Sequence, residues 1–142
     1  MAARDAPIGT LGFMDVTEQT FASDVIERSH EKPVVVDFWA AWCGPCRMLT
    51  PVLEREVAAR EDAIELAAVD VDANQRLAAE YGIRGIPAVK AFRNGRVVKE
   101  FVGAQPPQTV AAFLDELLAP PESARADSRR LRYASAEQNF RA

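Results

Sequence analysis

The stretch VVVDFWAAWCGPC at residues 34–46 decides the fold, because an apolar run leads there into a closely spaced cysteine pair. The run at residues 34–39 is broken only by Asp37, a pattern typical of a strand buried on both faces. Such a strand belongs to a parallel or mixed central sheet. An acid in such a strand either faces solvent at an edge or bulge, or is buried and must be paired or protonated.

A helix is predicted directly after the cysteines, from near Cys43 to about Arg60, with a kink at Pro51. Its apolar positions recur at helical spacing: Leu49, Val52, Leu53 and Val57. The cysteine pair therefore sits at a strand-to-helix junction.

Upstream of the run, residues 13–16 are consistent with a short strand. Thr17 and Thr20 offer capping oxygens for a helix that follows. The apolar positions expected on that helix are Phe21, Val25 and Ile26.

Downstream, residues 64–71 read as a second buried strand, and residues 74–81 as a short helix that stops at Gly82. Two further strands, 88–93 and 96–102, flank Asn94-Gly95, a strong signal for a type I′ hairpin. A final helix is marked by an apolar stripe made of Val110, Phe113, Leu114, Leu117 and Leu118.

The predicted order is strand, helix, strand, helix, strand, helix, strand, strand, helix, which is an α/β fold with a mixed central sheet flanked by helices on both faces. A chain of 142 residues is expected to form one domain. We predict a loose lead-in at 1–12, the domain at 13–119 and an extension at 120–142 that begins with two prolines. The extension is basic, with five arginines, and is either solvated or a short helix.

Charge and hydropathy exclude two classes of partner. The net charge of −4 gives the chain as a whole no electrostatic footprint for nucleic acid. Asp37 and Asp70 interrupt the two most hydrophobic stretches, so no run approaches the ~18 apolar residues of a membrane span. The first ten residues lack the apolar core of a secretory signal, and we expect a cytoplasmic protein.

The chain has only two cysteines, Cys43 and Cys46, and one histidine, His30. Three candidate ligands cannot close a four-ligand zinc site within one chain, although a homodimer sharing a metal through both cysteine pairs stays an alternative. A disulfide between Cys43 and Cys46 would close only a very short loop, so it would add little to the stability of the fold. Redox chemistry is the better interpretation, because a Cys-x-x-Cys between a strand and a helix is typical of it.

The position of each residue in the pair fits that chemistry. Cys43 lies at the helix N-terminus, where unpaired backbone N–H groups favour a thiolate, and Arg47 adds a cation one turn on. Pro45 is tolerated because its missing N–H would have been unpaired. We therefore expect Cys43 to be the exposed, attacking sulfur and Cys46 the buried, resolving one.

Separate matches, in order along residues 13–119, resemble the thioredoxin family. They are VVDFWA at 35–40, WCGPCR at 42–47, YGIRGIP at 81–87, the hairpin Asn94-Gly95 and the turn Val102-Gly103-Ala104. The resemblance implies a thioredoxin fold and a protein-disulfide reductase that works by dithiol–disulfide exchange. It also implies no bound cofactor beyond the redox-active disulfide Cys43–Cys46, and no metal.

The resemblance assigns further roles. It places Asp37 behind the second cysteine, where a raised pKa would suit it to take the proton of Cys46 through a water. The lysine that the family often has near this acid is replaced by Ala68. It also implies a cis peptide at Ile86-Pro87, against the cysteines. The expected docking surface for an extended substrate consists of Trp42, Gly44, Pro45, Gly85, Ile86, Pro87, Gly103 and Ala104.

The family resemblance further implies protein substrates with disulfides, a flavin-dependent thioredoxin reductase as electron donor, and a monomer in a bacterial cytoplasm. A second similarity, over residues 85–92 and 100–104, is to the thioredoxin domain of bacterial co-chaperones that carry tetratricopeptide repeats. Such repeats need about 34 residues each, and usually three of them stack. Residues 120–142 are too few, so a co-chaperone or holdase with incidental cysteines is the alternative function.

Overall fold

The computed structural model describes residues 13–119, so the predicted lead-in at 1–12 and extension at 120–142 lie outside the described residues. The order of elements predicted from the sequence is confirmed. They are β1 (Met14–Asp15), a π-helix (Ala22–Glu27) followed by a 3₁₀-helix (Arg28–His30), β2 (Val34–Trp39), α1 (Gly44–Ala58), β3 (Glu65–Asp70), α2 (Gln75–Glu80), β4 (Ala88–Arg93), β5 (Arg96–Val102) and α3 (Pro107–Leu118).

The sheet is mixed, as predicted, with the strand order β1-β3-β2-β4-β5. Strands β1, β3 and β2 run parallel, while β4 is antiparallel to β2 and β5 is antiparallel to β4. Within β2, Asp37 pairs with Ala68 of β3 on one side and with Val89 of β4 on the other. Asp37 is therefore on the central strand, which excludes the alternative of an acid at an edge.

Helices cover both faces of the sheet and make two separate cores. Side chains alternate along β2, so Val35 joins the core under α1 and α3, whereas Val36 and Phe38 join the core on the opposite face. The first core includes Leu49 and Leu53 of α1. Because Asp37 is two residues from Val35, the same alternation directs it toward α1, where the cysteines are.

The turn between β4 and β5 has the predicted type I′ character. Asn94 and Gly95 both have positive φ, 55° and 84°, as that turn requires. The hairpin is tied to the N-terminal helical segment, because buried Ser29 accepts the Gly95 N–H at 2.8 Å through its hydroxyl. The Ser29 carbonyl oxygen accepts the Asn94 N–H at 3.0 Å.

The N-terminal helical segment differs from the ordinary capped helix predicted for it. Its cap residue is Phe21, whose side chain makes no capping hydrogen bond. The two threonines instead close the turn before it: Thr20 Oγ1 accepts the Thr17 N–H at 3.0 Å, and Thr17 Oγ1 accepts the Gln19 N–H at 3.2 Å. Within the part of the chain described, no helix is long and apolar enough to span a membrane.

Candidate active site

The cysteine pair forms a disulfide at the N-terminus of α1, with the two Cα atoms 5.3 Å apart. Cys43 is the capping residue of the helix and has extended backbone angles. Its sulfur accepts the N–H of Cys46 at 3.2 Å, and Pro45 lies in the first turn, where no N–H is needed. Cys43 thus sits among the free N–H groups that stabilise a thiolate.

Arg47, expected to add a cation near Cys43, has a hydrogen-bond partner in the loop before α1. Its guanidinium donates to the carbonyl oxygen of Ala41 at 2.7 Å, on the exposed side of the loop. The N–H groups at the start of α1, where Cys43 is the capping residue, are the thiolate-stabilising groups next to this sulfur.

The expectation that Cys43 is exposed is wrong for the disulfide form. Cys43 is 3% exposed and Cys46 is 2% exposed, so burial does not distinguish them. The bonded sulfurs are covered because the pair packs with Ala40 and with half-buried Val71 and Ile86. What does distinguish them is their surroundings: Cys43 caps the helix, while Cys46 lines a cavity behind it.

Beside the disulfide, the Ile86–Pro87 bond is cis, as the resemblance implied. Pro87 is fixed through its carbonyl oxygen, which accepts the N–H of Gly103 at 2.8 Å. Gly103 has φ +94°, which a residue with a Cβ rarely adopts. The backbone N–H and C=O of Ile86 make no hydrogen bond within residues 13–119. They are available to an extended segment laid along this surface.

Trp42, the residue before Cys43, has 69% of its surface exposed. Its indole N–H donates to Asp72 Oδ2 at 2.9 Å. The Asp72 loop is in turn ordered by Asp70, whose Oδ1 accepts the N–H groups of Asp72 and Ala73 at 2.9 and 3.3 Å. Nothing in the sequence relates residue 42 to a loop some thirty residues away, so this contact could not be predicted from it.

Contacts among the described residues position most members of the predicted docking surface. Trp42, Ile86 and Pro87 are placed by the contacts just described, and Gly44 and Pro45 form the first turn of α1. A Cβ at Gly85 would lie 3.5 Å from Val102, beside β5. Ala104 is exposed and directly follows Gly103 after the end of β5.

Asp37 lies behind the disulfide and is 3% exposed. Burial is the largest influence on its carboxyl group and raises its pKa from 3.8 to about 7. The Thr50 hydroxyl, 3.2 Å from Oδ2, lowers the pKa, and the negative charge of Glu54 raises it. The same hydroxyl is 3.0 Å from the Cys46 carbonyl oxygen, so it can donate to either group.

Asp37 and Cys46 line one open cavity of about 490 Å³, which we call the acid cavity. Ala68 lines it at the position where the family often has a lysine, so no cation from β3 faces the acid. Its full lining is Phe13, Asp37, Trp39, Ala40, Ala41, Cys46, Arg47, Thr50, Pro51, Glu54 and Ala68.

Sequence reasoning missed Thr50 and Glu54. Both follow Cys46 at intervals of four residues, so the three share one face of α1. That spacing was the available signal. Among residues 13–119, no group of three or more histidine, cysteine or acidic side chains is arranged to hold a metal ion.

Comparison with known proteins gives consistent matches. A family model described as Thioredoxin matches residues 12–116. The thioredoxin of Alicyclobacillus acidocaldarius is 42% identical over 105 residues, which cover 74% of this chain and 97% of that protein. Thioredoxin 1 of Synechococcus elongatus is 45% identical over 103 residues, covering 72% and 94%. The thioredoxin of Streptomyces clavuligerus is 46% identical over 92 residues, covering 65% and 83%. None of these matches favours the co-chaperone alternative.

Proposed function

Because the chain belongs to the thioredoxin family of thiol-disulfide oxidoreductases, we propose that Cys43 attacks substrate disulfides, that Cys46 resolves the intermediate, and that Asp37 takes up the proton of Cys46. The redox-active group is the Cys43–Cys46 disulfide itself. The observation that carries the assignment is the position of this disulfide, between an exposed apolar surface and a buried carboxyl group.

In the first step, the Cys43 thiolate of the reduced protein attacks one sulfur of a substrate disulfide. A mixed disulfide forms between Cys43 and the substrate, and the second substrate sulfur leaves as a thiolate that takes a proton from water. The helix N-terminus supports this step, since it stabilises the attacking thiolate.

In the second step, the Cys46 thiol gives its proton to Asp37, and the resulting thiolate attacks the Cys43 sulfur. The Cys43–Cys46 bond forms, the mixed disulfide breaks, and the second substrate thiolate leaves, so two electrons pass to the substrate. A carboxyl group with a pKa of about 7 suits this role, because it can both accept and release a proton near neutral pH.

The proposed docking surface explains how a protein substrate meets Cys43. An extended segment pairs with the free backbone groups of Ile86, and its apolar side chains pack on Trp42. Asp72 holds the indole ring in place for this contact.

The proposal extends to the setting of the reaction. The substrates are proteins with accessible disulfides, and the oxidised pair is reduced again by a flavin-dependent thioredoxin reductase. We place the protein in the bacterial cytoplasm, as a monomer.

Reduction of insulin with dithiothreitol as donor tests the assignment of the two sulfurs. We expect the wild type to be active, Cys43→Ser to fall to the uncatalysed rate, and Cys46→Ser to accumulate as a mixed disulfide with the substrate. Mass spectrometry under non-reducing conditions detects that adduct. Equal trapping by both variants would refute the assigned roles.

A further inference from the structure

Three residues that line the acid cavity each hold a buried polar atom with no hydrogen-bond partner among residues 13–119. These atoms are Asp37 Oδ1, Trp39 Nε1 and Glu54 Oε2. Buried polar atoms are normally paired, with protein or with ordered water. Three such atoms on residues that line one cavity can be satisfied by molecules held in that cavity.

The chemistry of the three atoms matches water. The Trp39 N–H is a donor and the two carboxyl oxygens are acceptors, while a water molecule accepts from one group and donates to two others. A cavity of about 490 Å³ has room for several water molecules, and each needs between two and four polar partners. Much of the remaining lining, including Phe13 and Ala68, is apolar, so the polar partners of the water are concentrated near the acids.

Glu54 stands between this water and the solvent. Its Oε2 is buried, while the residue as a whole is half-buried, so the side chain reaches from the cavity to the surface of α1. We propose that Glu54 and water held in the acid cavity pass the proton of Asp37 to solvent, with Trp39 Nε1 orienting that water. This inference rests on the proposed role of Asp37.

The proton balance gives Glu54 a defined task. In the resolving step Cys46 gives its proton to Asp37, and the Cys46 thiolate stays free to attack only once that proton has left Asp37, because the carboxyl group otherwise returns it. The proton passes through the cavity water to the Glu54 carboxylate, which releases it to solvent. No bond other than O–H bonds forms or breaks on this path.

The charged and titratable groups facing Asp37 are few. From α1 they are Cys46, Glu54 and Arg47, and the guanidinium of Arg47 is bonded to the Ala41 carbonyl. The neighbouring strands place Ala68 and Val89 beside Asp37. Phe13 closes the cavity from the N-terminal side. Glu54 is therefore the one carboxylate among these groups that can relay a proton from Asp37.

The test follows the resolving step in stopped flow, with Ellman's reagent and the reduced full-length protein. One coloured thiolate is released on attack by Cys43 and a second on resolution by Cys46. For Glu54→Gln we expect the plateau of the resolution rate above neutral pH to fall by about tenfold, less than the roughly 10²–10⁴-fold of a direct general base, because Glu54 acts through water. Adding acetate to Glu54→Ala should restore much of the rate, because a small carboxylate can replace the missing one.

The matched control is Glu56→Gln, which makes the same chemical change on α1 outside the acid cavity, where Glu56 pairs with Arg60. We expect it to resolve at the wild-type rate and acetate to have no effect on it. Glu54→Asp should retain most of the rate.

Electrostatics alone would give a different result. If Glu54 only repels the charge of Asp37, Glu54→Gln shifts the midpoint of the pH profile downward and leaves the plateau unchanged, which would overturn the proposal. An unchanged profile would overturn it as well. Asp37→Asn distinguishes failure of the relay from failure of the proposed role of Asp37. If this variant resolves slowly while Glu54→Gln has no effect, only the relay is refuted. If it resolves at the wild-type rate, the role of Asp37 is refuted.

Discussion

The two sides of the disulfide have opposite distributions of polar and apolar groups. In front of it, Trp42 is 69% exposed; behind it, the Asp37 carboxyl is 3% exposed. Soluble proteins usually bury large apolar side chains and expose acidic ones, so both deviations are informative. The front is an apolar surface, and Gly103 adds no side chain to it. The back is a cavity lined by two acids, Asp37 and Glu54.

The two sides also differ in how they are built. The front is assembled from loops that follow β2, β3, α2 and β5, and it depends on single contacts such as that between Trp42 and Asp72. The back is made mainly by regular elements, which are β2, β3 and one face of α1. Changes in front should therefore alter substrate binding, and changes behind should alter proton transfer and stability.

The largest expected effect is on the back, from Asp37→Asn. Because the folded-state pKa is raised from 3.8 to about 7, the native state binds the proton more tightly than the unfolded state, and stability falls as pH rises between these values. Above pH 7 the full penalty is present, about 4 kcal/mol by linkage. Asparagine does not ionise, so the Asp37→Asn variant does not lose this stability. Urea unfolding of the oxidised proteins should show a gain that approaches this value at pH 8.5 and disappears near pH 4.

A gain of equal size at both pH values would show that ionisation of Asp37 is not the cause. The same variant should slow resolution of the mixed disulfide while attack by Cys43 stays intact, since an amide cannot accept the proton.

Ala68→Lys tests the missing cation on the same side. Position 68 pairs with Asp37 across β2 and β3 and lines the acid cavity, so an ammonium group there can approach the carboxylate. We expect the pKa of Asp37 to fall below its value of about 7 by about 1 to 2 units. An NMR titration of the carboxyl carbon measures it. Ala68→Met fills similar space without charge and should not lower the pKa; an equal fall in both variants would contradict the electrostatic explanation.

A smaller effect is expected in front, from Asp72→Ala. Losing the acceptor of the Trp42 indole N–H costs about 1 kcal/mol, which corresponds to about a fivefold rise in KM for a protein substrate. Turnover of a small disulfide should not change, because such a substrate does not need the indole. Asp72→Asn keeps an oxygen acceptor and serves as the control. A loss that is equal for large and small substrates would show that Asp72 acts on the cysteines and not on docking.

The regular parts of the molecule could be predicted from the sequence, because their apolar spacing is local. The alternation along β2 indicates that Asp37 shares a face with Val35, and the helical stripe of α1 places Leu49 and Leu53 in the core. The role of Glu54 was missed although its spacing from Cys46 is visible, since which face of α1 meets Asp37 depends on packing between elements.

Other features depend on contacts or states that the sequence does not encode locally. The bond between Trp42 and Asp72 joins two loops distant in the chain. The burial of Cys43 belongs to the disulfide form, in which bonded sulfurs pack against Ile86. The π-helical turn at Ala22–Glu27 has the same apolar spacing as an ordinary helix, so periodicity alone did not distinguish them.

The smallest effect is expected from deleting residues 120–142. Helix α3 ends at Leu118, and its buried residues Val110, Phe113, Leu114 and Leu117 all precede the cut, so the core should stay intact. We expect unchanged turnover of a small disulfide, an unchanged melting temperature and an unchanged pKa of Asp37. The control is a full-length variant in which the five arginines of the extension are replaced by glutamine. A lower turnover would place part of the front beyond Ala119. A rise in the pKa of Asp37 on deletion, reproduced by the glutamine variant, would instead show that an arginine of the extension supplies the cation absent at Ala68.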